Sequence, residues 1–313
     1  MKKILLTTLF SALLSSGLAH ADDKTLDISY VKSPFNLQMI VMKEHNLLEK
    51  QAESLGLNVE WHEITSGAKQ AQALASGDLD IAGVMNTSSV LMSNSEGNPV
   101  MIIAGVSRPT DTFAIVVAKN GVNSIAGLKG KKIAGPKGTV LHQTLVAALV
   151  KNGLSMNDVQ FVQMDLPQAF AALQSSQVDA ALLAATMVIK AEQEGAKVLT
   201  TASGLVVPKL VMASSDKVVK KHPNWIKVVI AAHDEASTWI EKNQSEAIAL
   251  GAKVQGISVE DAQKLYNRSH FTQRLNQDDI TSMKEDIQFM IENGMIRNEI
   301  DVSNIVLPQA MEQ

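Results

Sequence analysis

A stretch of this 313-residue chain returns about 99 positions later, and that repeat limits the fold more than any other feature. Ala73-Leu74-Ala75-Ser76-Gly77-Asp78-Leu79-Asp80-Ile81-Ala82 aligns with Ala172-Leu173-Gln174-Ser175-Ser176-Gln177-Val178-Asp179-Ala180-Ala181. Close to the same offset, Val59-Glu60-Trp61 meets Val159-Gln160-Phe161, and Ser33-Pro34 meets Gly135-Pro136. Solenoid repeats run about 20–50 residues, so a spacing near 100 implies two similar units side by side rather than a stack.

Each unit alternates strands with helices. Residues 26–31, 57–64, 80–85 and 100–106 have the apolar alternation or short apolar runs of strands, and residues 37–48 and 68–77 have helical spacing. Asn86-Thr87-Ser88 is placed to cap a third helix. In the second unit a short strand breaks at Gly135-Pro136-Lys137-Gly138. Thr139 stands where an N-cap belongs, and Leu141, Leu145, Ala148 and Leu149 form a stripe that stops at Gly153. This rhythm predicts α/β lobes with mostly parallel sheets flanked by helices. The link 108–112 leads into a strand at 113–118, and an extended run at 205–213 returns, so two crossings form a hinge at Arg108, Thr110 and Pro208. The expected division is residues 22–110 and 207–313 in one lobe and 111–206 in the other. Helices expected over 225–241, 245–256 and 278–293 pad the first lobe.

The first residues set the compartment. Lys2 and Lys3 precede an apolar run over 4–14 and an Ala19-His20-Ala21 end, which together predict a signal peptide cut after Ala21. The run is too short to span a bilayer, and no later run approaches the roughly 18 apolar residues needed. Without Lys2 and Lys3 the basic count falls from 28 to 26 against 32 acidic residues, a balance of about −6 that gives no footing for nucleic acid. The chain has no cysteine, which excludes disulfides, thiol catalysis and a lipid anchor and makes a Gram-negative periplasm the expected address. The 14 methionines read as core filler.

Motifs for chemistry are missing. No two of the seven histidines have helical metal-site spacing, so no dedicated metal site is expected. Residues 135–139 lack the P-loop spacing, no Gly-x-Gly-x-x-Gly follows a strand, and no Gly-x-Ser-x-Gly elbow occurs, so neither a nucleotide cofactor nor a catalytic residue is expected. Asp78 and Asp80 read as turn and strand-start residues. What remains is the set of strand ends, outside which ligands bind in open α/β sheets. These gather Ser33, Pro34, Phe35, Thr65, Ser66, Gly67, Asn86, Thr87 and Ser88 from the first lobe, and Lys137, Gly138, Thr139, Asp165, Leu166 and Thr186 from the second. Hydroxyls, an amide and helix N-termini suit a small anion.

Several segments in order resemble substrate-binding proteins of ABC transporters for nitrate, sulfonate and taurine. They are Ala73 to Ile81, Gly127-Leu128-Lys129-Gly130-Lys131-Lys132-Ile133, Gly-x-Lys-Gly-Thr at 135–139, Asn152-Gly153-Leu154, Gln168-Ala169-Phe170-Ala171-Ala172-Leu173 and Val178-Asp179-Ala180. The resemblance implies a two-lobe type II periplasmic binding fold that closes over a small solute, with an ABC permease and its ATPase as partners and a monomer as the working unit. Many relatives carry Trp, an acid and Pro where this chain has Ala185-Thr186-Met187, a departure that counts against taurine and leaves room for a bulkier ligand. Two other readings are an enzyme on the same fold, as in pyrimidine-synthesising relatives that rely on cysteines absent here, and a solute-sensing partner of a membrane receptor.

Overall fold

The computed structural model describes residues 24–31 and 35–312. The expected signal peptide and the candidate residues Ser33 and Pro34 lie outside the described residues.

The first unit contains strands β1 (Thr25–Tyr30), β2 (Asn58–Glu63), β3 (Ile81–Asn86) and β4 (Val100–Ser107), with helices α1 (Leu37–Glu44), α2 (Leu47–Glu53), α3 (Gly67–Ser76) and α4 (Thr87–Ser95). The second contains β5 (Phe113–Val117), β6 (Lys132–Gly135), β7 (Gln160–Gln163), β8 (Ala180–Ala184) and β9 (Lys197–Thr201), with α5 (Val140–Lys151), α6 (Leu166–Gln174) and α7 (Thr186–Gln193). Then follow β10 (Leu210–Ser215) and helices α8 (Asp216–Lys221), α9 (Pro223–Lys242), α10 (Gln244–Gln255), α11 (Val259–Ser269) and α12 (Gln277–Glu292). The helix expected over 37–48 is two helices. Asn46 adopts a left-handed φ of 53° at the break, a conformation Asn tolerates better than most residues.

Two five-stranded sheets have orders β2-β1-β3-β10-β4 and β7-β6-β8-β5-β9, which are the same order. The repeat is visible in the element starts: α3 and α6 begin at 67 and 166, β3 and β8 at 81 and 180, α4 and α7 at 87 and 186. The sheets are more mixed than the sequence rhythm suggests. The β1–β2, β1–β3, β6–β7 and β6–β8 pairs are parallel, whereas β10 is antiparallel to β3 and β4, and β5 to β8 and β9. Each antiparallel strand is the first one after a crossing between sheets: β5 leaves the first sheet for the second, and β10 returns.

Alternation along β1 explains the layers. Leu26, Ile28 and Tyr30 join the core beneath α1, α2 and α9, while Ser29 on the opposite face donates to Gln70 of α3. Leu74, Leu91, Met283 and Ile287 fill the side covered by α3, α4 and α12. In the second sheet Leu141, Leu145 and Leu149 of α5 bury one face, and Ala169, Leu173 and Val188 of α6 and α7 the other. Arg108 holds the first crossing, its guanidinium making paired bonds of 2.9 and 2.6 Å to the buried Asp279 carboxylate of α12. The Thr110 backbone N–H donates to the Arg268 carbonyl at 2.8 Å. No described helix is long and apolar enough to cross a membrane.

Candidate functional site

The carboxyl ends of both sheets face one another across a small cavity of about 50 Å³. Val31, Thr65, Ser66, Gly67, Val84 and Asn86 line it from the first unit. Phe113, Pro136, Thr139, Val140, Leu141, Asp165 and Leu166 line it from the second, and Leu210 from the returning strand. The walls are largely apolar and the polar groups few, as in small-molecule sites generally.

Asn86 is the centre of the polar part. Its strand-end backbone is extended and its Oδ1 caps α4 by accepting the Ser89 N–H at 2.9 Å. The same oxygen accepts the Val140 N–H of α5 at 3.1 Å. One neutral oxygen therefore sits at the N-termini of two helices from different sheets, where two dipoles and two backbone donors converge. That is the environment an anionic oxygen would find favourable. Thr139 holds the N-cap position of α5 but does not cap it; its hydroxyl donates to the Pro136 carbonyl at 2.9 Å, leaving the capping to Asn86.

Other contacts fasten the two units around the cavity. Lys69 of α3 reaches Asp165, the N-cap of α6, at 2.6 Å. The Ser89 hydroxyl donates to the Gly138 carbonyl at 2.7 Å. Ser88 donates to Gln143, whose amide donates to Asp286 of α12 at 2.6 Å. Asp286 is 3.4 Å from the fully buried Lys209 ammonium, which also donates to the Val207 carbonyl and the Ser282 hydroxyl. Burial raises the Asp286 carboxyl above the usual carboxylate range, against the opposing pull of Lys209.

Of the residues expected at the strand ends, Ser66, Gly67, Asn86, Thr139 and Asp165 line the cavity. Among the described residues the Ser66 hydroxyl has no partner, so it is free to serve a ligand. A Cβ on Gly67 would stand 2.6 Å from Ser89 Oγ and 3.0 Å from Asn86 Nδ2, so only glycine lets α3 approach the Asn86 turn. The remaining described candidates lie elsewhere. Phe35 is buried against Gly251 of α10. Thr87 and Ser88 are buried in the first turn of α4, and Thr186 in that of α7. Lys137 and Gly138 line a separate groove beside His142, Phe161 and Arg297. There burial, and secondarily Lys137, pushes the His142 imidazole down to about 4. Thr65 and Leu166, expected at the same strand ends, line the cavity too, whereas sequence reasoning missed Val140 and the remaining apolar walls. Val140 acts through its backbone, which no side-chain pattern announces.

At an offset of 99, Asn86 corresponds to Ala185. Ala185 has φ 45° and ψ −110° at the turn into α7, a region costly for a residue with a Cβ. The cap that serves two helices in one unit is thus a methyl in the other.

Residues 53–247 match the family model described as NMT1/THI5 like. A chain of Escherichia coli K12 assigned as an aliphatic sulfonates-binding protein is 26% identical over 256 residues, covering 82% of this chain and 79% of that one. The taurine-binding periplasmic protein of the same organism is 30% identical over 218 residues, covering 66% and 67%. The alkanesulfonate-binding protein of Xanthomonas axonopodis pv. citri, solved bound to MOPS, superimposes with a TM-score of 0.79 at 22% identity, covering 92% of this chain and 99% of that one. The desulfurization enzyme DSZB also superimposes, with a TM-score of 0.66 at 15% identity over 91% and 97% of the two chains.

Proposed function

This chain belongs to the NMT1/THI5-like family, and from that premise we propose that it is the solute-binding component of an ABC importer, carrying a small organic sulfonate between its lobes to a permease. The carrying observation is the Asn86 junction, where donors from α4 and α5 converge beside the free Ser66 hydroxyl in an otherwise apolar cavity. A sulfonate needs donors for its oxygens and an apolar wall for its carbon chain; Val84, Phe113, Leu141 and Leu166 supply the wall. The two Escherichia coli relatives named above bear the names of binding proteins for this solute class, and the sequence signals over residues 1–21 suit export to the periplasm; the carrier would work there as a monomer with a permease and ATPase.

The mechanism is a shift between open and closed populations. A cavity of about 50 Å³ holds only a few water molecules. Entry of a sulfonate therefore requires the lobes to part at the 108–112 and 205–210 crossings. Solute that bonds to both helix ends then favours a closed form wider than the empty one. Asn86 withdraws its oxygen from Val140 and presents its amide N–H to the sulfonate. Asp165 is engaged by Lys69 and so is a poor partner for an ammonium. Ethanesulfonate is accordingly expected to bind more tightly than taurine.

Binding rather than catalysis is favoured because the chain has no cysteine and no nucleophile–base pair among the described cavity residues. The test is calorimetric titration of the mature protein, refolded from denaturant to strip bound solute, with C1 to C6 alkanesulfonates, taurine, nitrate and acetate. Saturable binding of alkanesulfonates supports the proposal. A folded protein that binds none of them overturns it.

A further inference from the structure

The pairing of β1 with β2 brings together three side chains that no sequence spacing relates. Asp27 stands opposite Glu60, and Ser29 opposite His62. Side chains two apart on a strand share a face, so Asp27, Glu60 and His62 emerge together at the edge of the first sheet. The interlobe cavity opens at Val31, Thr65 and Asn86, past the other ends of the same strands. One donor atom from each of the three lies within 4.8 Å of the other two. His62 Nε2 and Asp27 Oδ1 are 2.5 Å apart.

We propose that Asp27, Glu60 and His62 form a binding site for a zinc-type divalent cation. Two carboxylates directly opposite across a strand pair repel one another, and a third, Asp80, sits behind them, accepting the Asp27 N–H at 2.9 Å. His62 relieves Asp27, but among the described residues Glu60 has no ion-pair partner. Lys221 and His222 face Asp80 from a shared cavity and offset its charge; a cation at the three ligands resolves the repulsion between Asp27 and Glu60. The donor set selects the metal: one imidazole nitrogen with two carboxylate oxygens suits zinc, whereas calcium and magnesium call for oxygen alone and more of it. Zinc holds such ligands at about 2.0–2.2 Å, which places tetrahedral donors about 3.4 Å apart. The observed separations, from 2.5 Å upward to within 4.8 Å, bracket that value, so small side-chain rotations suffice.

The scaffold suits the role. All three residues lie on hydrogen-bonded strands, which hold ligands more firmly than loops. Trp61, between Glu60 and His62, turns to the opposite face, where its indole N–H is anchored to Glu49 at 2.7 Å. Asp27 and Glu60 also border a cavity of about 660 Å³, through which water reaches the fourth coordination position. Bound metal would tie β2, which among the described residues is an edge strand paired with β1 alone, to the interior of the sheet.

The test is calorimetric titration of ZnCl2 into the EDTA-treated, dialysed mature chain at pH 7 in a non-coordinating buffer. One saturable site is expected, weakened about tenfold or more in His62→Ala and in Glu60→Gln, unchanged in His222→Ala and unaffected by millimolar Mg2+. His62 is 38% exposed, and the melting temperature of metal-free His62→Ala checks that the variant folds. Zinc is also expected to raise the melting temperature of the wild type and not that of His62→Ala. No saturable zinc binding, or equal affinity in wild type and His62→Ala, overturns the proposal.

Discussion

At the scale of single residues, Asn86 does two jobs that a substitution can separate. Asn86→Ala removes the acceptor for two helix N-termini and is expected to cost about 1–2 kcal/mol in urea unfolding. Asn86→Asp keeps the caps and places a negative charge at two positive helix ends, so the fold is expected to be as stable as wild type or more so. That same charge repels a sulfonate, and calorimetry should find its affinity lost. Retained affinity in Asn86→Asp would remove this junction from the site. His233 offers a second residue-scale test. It is fully buried with neither ring nitrogen partnered, and burial pushes its imidazole down to about 4, Asp234 and Arg274 making smaller opposed contributions. Because the folded value lies below the ordinary 6.5, the unfolded chain takes up the proton first as pH falls. Stability is therefore full above pH 6.5 and drains between 6.5 and 4, by about 3 kcal/mol over the whole window. The stability difference between wild type and His233→Leu, followed by urea unfolding from pH 7 to pH 4, is expected to move toward the variant by that amount.

At the scale of elements, the strand–turn–helix units were legible where local chemistry decides them. The 99-residue offset placed the end of α3 with that of α6 and the start of β3 with that of β8 because each pair shares an apolar pattern and a turn, and the structure extends the match to α4 and α7. The break between α1 and α2 was hidden, since residues 37–48 keep one apolar face across it and only the left-handed Asn46 interrupts the backbone. Thr139 holds the N-cap position of α5 as its sequence indicates, but the group that caps the helix comes from Asn86, 54 residues earlier and on the other sheet. The Asp27, Glu60 and His62 cluster was equally invisible, because helical spacing says nothing about partners brought together by strand register. Gly67 carries the element-scale prediction. In Gly67→Ala the new methyl meets Ser89 Oγ and Asn86 Nδ2 and must push the start of α3 from the Asn86 turn. The variant is expected to fold with a loss of about 1–3 kcal/mol and to bind alkanesulfonate more weakly, both readable by thermal shift with and without solute.

At the scale of the whole molecule, the crossings were visible as polar and Pro-containing links, but what locks them was not. Nothing in the sequence singles out Lys209, next to Pro208, yet it is completely buried against Asp286, 77 residues away. Asp286→Asn should leave that ammonium without its counter-charge and cost about 3–5 kcal/mol in urea unfolding. Lys209→Met combined with Asp286→Leu, which removes both charges, should recover most of the loss. If Asp286→Asn is as stable as wild type, the pair does not hold the crossing.

The exchange of strands between sheets bears on how such a chain is made. Among the described strands β4 pairs with β10 alone, its further bridges going to Phe271 and Val306 later in the chain, and the β3 flank opposite β1 also waits for β10. β4 ends at Ser107 and β10 begins at Leu210. At about 5–20 residues per second a ribosome takes about 5–20 s to cover that interval. Throughout it the amino-terminal sheet lacks the strand that joins its two parts, and by its end the second sheet has all five of its strands. The half synthesised first is thus completed last.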